Sequence, residues 1–226
     1  MLEQLLVWER DAFFLLNGSN SPFLDHFMWL YSGKVVWLPL ALFILFVLCY
    51  KRDWRQSLLL LLMIALTITL CDQFASHICK PLCMRYRPTH HPDFMAQVKV
   101  VFGYRGGLYG FISSHAANAF GFAMFLTLLL KNKGLGVSLF FWATLTAYSR
   151  VYLGVHFITD ILPGALSGLC FGALAYALYR YLRKRFRMAE EPSQLTLWRA
   201  HSLTVAIGVT IGLLLLLTEP LTSLLK

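Results

Sequence analysis

The sequence predicts an all-α fold: a polytopic membrane protein built as a six-transmembrane-helix bundle, with an N-terminal helix lying along the membrane interface. Three observations predict it. The 226-residue chain is 58% hydrophobic and only 14% charged, and its mean hydropathy is +0.62. That leaves too little polar surface to cover a water-soluble core of this size. Six apolar segments, near 34–50, 57–79, 112–130, 135–153, 160–180 and 203–219, approach the ~20 residues a helix needs to cross a hydrocarbon core about 30 Å thick. A helix satisfies its own backbone polar groups in lipid, so apolar runs of this length are read as helices.

The elements follow in chain order. In the N-terminal segment 1–30, Leu2, Leu5, Leu6, Phe13, Phe14 and Leu16 recur at roughly helical spacing. Glu3, Glu9, Arg10 and Asp11 interrupt the apolar character, so no cleavable signal peptide is expected. The segment reads as an interfacial helix with Trp8 as an anchor. Six spans follow, and residues 1–226 form a single domain with no internal repeat. Asp72 lies inside the second span, where it hydrogen-bonds within the bundle or serves substrate access. The longest connection, 80–111, is rich in Pro, His and Gly, and loops of that length are usually functional or disordered. Its stretch Gly103–Gly110 reads equally as a plain loop or as a lid, with Arg105 or Tyr109 touching a headgroup. Cys79 and Cys83 are expected to be unpaired thiols, and His90–His91 lacks the neighbours of a metal site.

The formal net charge is +9. Nucleic acid is not the expected partner, because no Lys/Arg stripe lies on a polar helix. The bilayer and an anionic lipid are. The connections 51–56, 131–134 and 181–202 share one face and, with Arg180 at their edge, carry eleven basic residues against nine on the other. Lys80, Arg87 and Arg150 have a separate explanation, given below, and setting them aside leaves eleven against six. The positive-inside rule then puts the face holding 80–111 outside the cytoplasm, and a bacterial inner membrane is the expected location.

Three motifs lie in the region 80–160. The first runs from Lys80 to Arg87-Pro88, where the second span ends. The second is Ser113-Ser114-His115, where the third span begins. The third, Ser149-Arg150, five residues, His156, three residues, Asp160, joins the end of the fourth span to the start of the fifth. An up-and-down path brings all these ends to one membrane face. Lys80, Arg87 and Arg150 are then three cations at the edge of a low-dielectric region, and they need an anion to offset them. Arg offers a phosphate a planar fork of donors, and Lys a point charge. Ser113 sits at a helix N-cap, where free backbone N–H groups attract anions. Ser113 thus joins Lys80, Arg87 and Arg150 in a phosphate cradle.

His156 and Asp160 are four apart and share one helical face. A carboxylate beside an imidazole fixes its tautomer and stabilises the cation formed on attack. His156 reads as a covalent nucleophile, Asp160 as its orienting group and His115 as the general acid. Singly, each feature has an ordinary structural explanation: a hydrogen-bonded pair, juxtamembrane charges, a helix cap. Their convergence at matching helix ends favours the chemical one.

At these residues the sequence resembles the type-2 phosphatidic acid phosphatase superfamily. The signature of that family is Lys, six residues, Arg-Pro; then Pro-Ser-Gly-His; then Ser-Arg, five residues, His, three residues, Asp. The first and third motifs match in full. The second reads Ile112-Ser113-Ser114-His115, with Pro and Gly replaced. The resemblance implies hydrolysis without metal or other cofactor through a phosphohistidine on His156, with Lys80, Arg87, Ser113, Ser114, Arg150 and His115 around the phosphate. It also implies a lipid phosphate that enters sideways between helices. Undecaprenyl pyrophosphate, cleaved to undecaprenyl phosphate, is the favoured substrate. Phosphatidylglycerophosphate, phosphatidic acid and lipid A are the alternatives, as is phosphotransfer to an acceptor other than water. An anionic-lipid transporter or binding protein is the competing class. A transporter more often shows repeats with broken helices at the midplane, whereas here the polar residues gather at one face.

Overall fold

A computed structural model describes residues 2–17, 21–190 and 192–225, with side chains from residue 7 onward. Nine helices organise the described residues: α1 Leu2–Asn17, α2 Pro22–Ser32, α3 Leu38–Cys49, α4 Trp54–Cys83, α5 Ser114–Leu130, α6 Lys133–Tyr152, α7 Ile158–Arg185, α8 Ser193–Leu216 and α9 Thr218–Leu225. No strand occurs among these residues. Three helices, α4, α7 and α8, are long and apolar enough to cross a membrane, and the bent pair Pro22–Ser32 and Val35–Cys49 makes a fourth if taken as one span. The apolar α5 has 17 residues. The chain is therefore an all-α integral membrane protein. Large apolar side chains such as Leu42, Leu62, Phe141, Leu166, Leu174 and Val205 are exposed along these helices, as lipid-facing surfaces require.

Local chemistry sets the helix ends. Asp53 accepts from the backbone N–H groups of Arg55 (2.9 Å) and Gln56 (3.4 Å) and opens α4. Ser113 caps α5 through the N–H of Ala116 (3.4 Å), and Asn132 caps α6 through Leu135 (2.9 Å). Lys131 in the left-handed region, with φ 49°, closes α5. Near its end α4 loosens into a π-helical stretch, Phe74–Cys79, just before Lys80.

Two boundaries depart from the sequence reading. The segment 1–30 is not one surface element: α2 buries Phe27, Met28, Leu30 and Tyr31 against the body of the protein. The last apolar helix starts at Ser193, ten residues earlier than the predicted 203, so Arg199 lies inside it rather than in a connection. Arg199 is fully buried and donates to the carbonyls of Val47 (3.0 Å) and Tyr50 (2.8 Å) at the end of α3. Those carbonyls have no partner within their own helix, so a guanidinium suits the position.

Helix α5 is central, with α4, α6 and α7 packed around it. Its contact with α7 is the most extensive among the described helices. A Cβ at Gly164 would lie 2.6 Å from the Ser113 carbonyl oxygen, one at Gly168 2.2 Å from that of Ala117, and one at Gly172 2.4 Å from that of Gly121. Glycines four apart on α7 thus let the two backbones touch, the small-residue packing that membrane helices use in place of hydrophobic attraction. This contact draws the start of α5 against the start of α7, where the second and third motifs lie.

Candidate active site

The site is assembled from four chain segments at one end of the bundle: the end of α4 with 84–91, the start of α5, the end of α6 and the turn into α7. In the turn, Gly154 adopts φ +74°, which a side chain disfavours. The N–H of Val155 returns to the Arg150 carbonyl (3.0 Å), which points residues 155–157 inward. His156 and Asp160 have no solvent exposure. Asp160 Oδ2 lies 3.3 Å from His156 Nδ1 and accepts from the Phe157 N–H at 3.0 Å.

On the other side of the ring, Arg87 Nη1 sits 2.9 Å from His156 Nε2 and donates to the Val155 carbonyl, also at 2.9 Å. A guanidinium has donors only, so Nε2 must be the acceptor and Nδ1 carries the proton toward Asp160. This tautomer presents the Nε2 lone pair to the cradle. Burial, then the charges of Arg87, Arg150, Lys80 and Arg85, hold the His156 pKa well below the usual 6.5. The imidazole is therefore neutral at neutral pH. Burial and the Arg150 charge bring the Arg87 guanidinium down to about 10.

The cradle residues converge. Lys80 Nζ reaches Ser114 Oγ at 3.4 Å and Ser76 Oγ at 3.1 Å. Ser76 in turn donates to Asp72 Oδ1 at 3.4 Å, so Asp72 is linked through Ser76 to the Lys80 ammonium. The Ser113 N–H donates to the Asp160 carbonyl at 3.0 Å, and its Oγ caps α5. Arg150, 2% exposed, donates to Ser32 and to Tyr104 Oη (2.7 Å) and lies over the Tyr104 ring. The Nε atoms of Arg87 and Arg150 are buried without a protein acceptor. Two such donors beside Lys80 fit an anion with several oxygens. His115, on the first turn of α5, lines a cleft of about 490 Å³ together with Ser32, Lys34, Tyr104, Trp29, Val35, Val36 and Leu225. All eight residues singled out from the sequence thus lie in or beside one site.

The structure adds residues that sequence reasoning passed over. Arg85 holds the back of the pair: its Nη1 binds Asp160 Oδ1 (2.9 Å) and Thr159 Oγ1 (2.6 Å), and its Nη2 binds Glu9. The signal was the spacing Arg85-Tyr-Arg87, since alternate residues of an extended segment share a side. From the Gly103–Gly110 stretch, Tyr104 reaches Arg150. Arg105 instead bonds Thr89, and Tyr109 pairs with Tyr86. Gly110 lies on the dyad: a Cβ there would stand 3.0 Å from Asp160 Oδ2 and 3.2 Å from Arg87 Cγ.

Comparison with known proteins agrees with this geometry. Residues 56–184 match the PAP2 superfamily. The chain is 41% identical over 212 residues to a lipid A 4′-phosphatase of Porphyromonas gingivalis, covering 94% of this chain and 87% of that one. It is 38% identical to a lipid A 4′-phosphatase of Bacteroides thetaiotaomicron over 83% of this chain and 84% of that one. An undecaprenyl-diphosphatase of Sulfolobus acidocaldarius matches at 26%, over 74% of this chain and 76% of that one. Among solved structures, the crystal structure of Aquifex aeolicus LpxE superposes with a TM-score of 0.51 at 27% identity, covering 74% of this chain and 93% of that one.

Proposed function

The chain belongs to the PAP2 superfamily, and from that premise we propose that it removes the 4′-phosphate of lipid A at the membrane surface. The observation that carries this reading is the extended similarity to lipid A 4′-phosphatases, over nearly the whole chain. Undecaprenyl pyrophosphate, favoured on sequence alone, gives way because its hydrolase is the more distant relative. The cleft beside His115 supports a large amphipathic substrate: Trp29, Val35, Val36 and Leu225 line it together with Ser32, Lys34 and Tyr104. Apolar walls with a few polar groups suit the junction of a headgroup and its acyl chains.

The arrangement of the site supports the following reaction. The incoming phosphate draws Arg87 away from His156 Nε2 and binds Lys80, Arg87, Arg150, Ser113 and Ser114. The freed Nε2 lone pair attacks phosphorus. The N–P bond forms as the P–O bond to the sugar breaks, and His115 gives the leaving oxygen its proton. Asp160 stabilises the cationic ring. A water then attacks phosphorus, yielding its proton to His115, and the N–P bond breaks to release inorganic phosphate. The cationic cradle stabilises the charge that spreads over the phosphoryl oxygens in both steps.

Six of the helices, α3 to α8, are read as the six-span bundle, with α1 at the interface. Trp8 and Leu15 are exposed on α1 while Phe13 is buried, which supports that placement. The charge bias of the connections supports an outward-facing site in a bacterial inner membrane.

The test is phosphate release by the purified protein in detergent with chelator present. Lipid A bearing a 4′-phosphate, undecaprenyl pyrophosphate and phosphatidic acid are compared, each with the His156→Ala variant alongside. Preferential release from lipid A by the parent alone is expected. Preference for either other lipid overturns the substrate, and an active variant overturns the nucleophile.

A further inference from the structure

We propose that Glu9 and Arg85 are positioning residues: a relay from the N-terminal helix that fixes the Asp160 carboxylate, and through it the His156 ring, for attack. The inference rests on His156 as the nucleophile.

Asp160 is held on both oxygens. Oδ2 takes His156 Nδ1–H and the Phe157 N–H, and Oδ1 takes Arg85 Nη1 at 2.9 Å. A carboxylate gripped at both ends cannot rotate about its last bond, so the ring it orients is fixed too. Arg85 is fixed in turn. Its guanidinium lies over the Phe157 ring, 4.5 Å from the centroid, with Nη1 on Thr159 at 2.6 Å. Its Nη2 ion-pairs with Glu9, and the second Glu9 oxygen accepts from Thr159 Oγ1. Glu9, Arg85 and Thr159 thus close a ring of hydrogen bonds around the back of the dyad.

Glu9 sits on α1, a helix whose exposed Trp8 and Leu15 fit an interfacial anchor. An anchor alone would leave its acidic residues in water. The Glu9 side chain is instead 8% exposed and turned inward. The helix is secured to the same region at its far end, where Asn17 Nδ2 donates to the carbonyls of Lys99 (3.1 Å) and Tyr152 (2.8 Å). Phe13 packs edge-on against the ring of Phe157, the neighbour of His156. A buried carboxylate costs free energy unless it is paired, and here the pairing partner is the cation that grips Asp160.

The relay makes a signed prediction. His156 faces the cations Arg87, Arg150, Lys80 and Arg85 and the carboxylate Asp160, with His115 nearby. Removing Arg85 takes away a positive charge and favours the imidazolium. Removing the Glu9 charge leaves Arg85 uncompensated and disfavours it. The experiment measures kcat, KM and the pH profile of phosphate release from about pH 4 to about pH 9. It uses the full chain in detergent with whichever of lipid A and phosphatidic acid the parent hydrolyses faster. The variants are Arg85→Met, Arg85→Lys, Glu9→Gln and His156→Ala, each checked for parental melting temperature.

Arg85→Met is expected to lower kcat about tenfold or more, and Glu9→Gln severalfold, with KM within about twofold of the parent. The acid limb of kcat/KM should move to higher pH in Arg85→Met and to lower pH in Glu9→Gln. Arg85→Lys keeps the charge, so its limb stays near that of the parent while kcat falls with the lost fork. Should His156→Ala be inert while Glu9→Gln and Arg85→Met match the parent, or both move the limb the same way, the relay is wrong and the nucleophile stands. An active His156→Ala removes the nucleophile and the relay with it.

Discussion

The two ends of the bundle carry comparable numbers of cations and use them differently. At the end opposite the site, Arg180, Lys184 and Arg187 are exposed around a cleft of about 720 Å³. Arg183 is half-buried there, donating to the Ala189 carbonyl (2.6 Å) beside the Tyr179 ring. At the site end, Arg87 and Arg150 are buried, the adjoining cleft is smaller at about 490 Å³, and the cations meet His156, Ser32, Tyr104 and Asp160 at fixed places. Charge and cleft volume therefore do not distinguish the candidate site from the opposite rim. What distinguishes them is desolvation. A buried guanidinium acts in a low dielectric and cannot exchange its partners for water, whereas an exposed one is screened.

Four measurements would break or sharpen this contrast. The largest effect is expected from His156→Ala, which should lower kcat by at least ~10⁴-fold, as losses of a nucleophile do. Retained turnover would place the chemistry elsewhere. Next, Arg150→Ala removes a buried donor and should cost about 10²–10³-fold in kcat. A loss confined to KM would mean that Arg150 binds the ground state and the transition state alike. Third is the pH profile of the parent. The depressed His156 pKa keeps the ring unprotonated down to acid pH, so the acid limb of kcat/KM should lie below 6.5. A limb at or above that value would contradict the cationic surroundings. The smallest effect belongs to the opposite end: Arg187→Gln should leave kcat/KM within about twofold of the parent. A large loss there would dissolve the contrast between the two ends.

The packing between the ends admits its own test. Gly168→Val puts a branched side chain where even a Cβ would meet the Ala117 carbonyl oxygen at 2.2 Å. Overpacking of this kind costs about 1–3 kcal/mol or more, and a lowered melting temperature in detergent is the expected readout. Because α5 and α7 carry Ser114, His115 and Asp160, activity should fall with it.

Much of the molecule is legible in the sequence, because the relevant physics is local. Apolar length marks the long helices, since every backbone polar group in lipid must bond within its own segment. The spacing of His156 and Asp160 puts both on one turn. Ser113 is recognisable as a cap because it precedes an apolar run. The Gly164, Gly168 and Gly172 spacing was equally local, and it names the tightest helix contact once the four-residue period is noticed.

Tertiary structure decided the rest. That Arg85 holds Asp160 depends on a partner 75 residues away, and Glu9 reaches Thr159 across 150. Tyr104 and Ser32 become partners of Arg150 only because the 84–111 segment and the end of α2 fold over the end of α6. The boundary of α8 moved because Arg199 found the open carbonyls of α3 and could be buried. Periodicity and motif spacing state which face of an element a residue occupies. What that face meets is set by the packing of whole helices, and a charged side chain takes its meaning from that meeting.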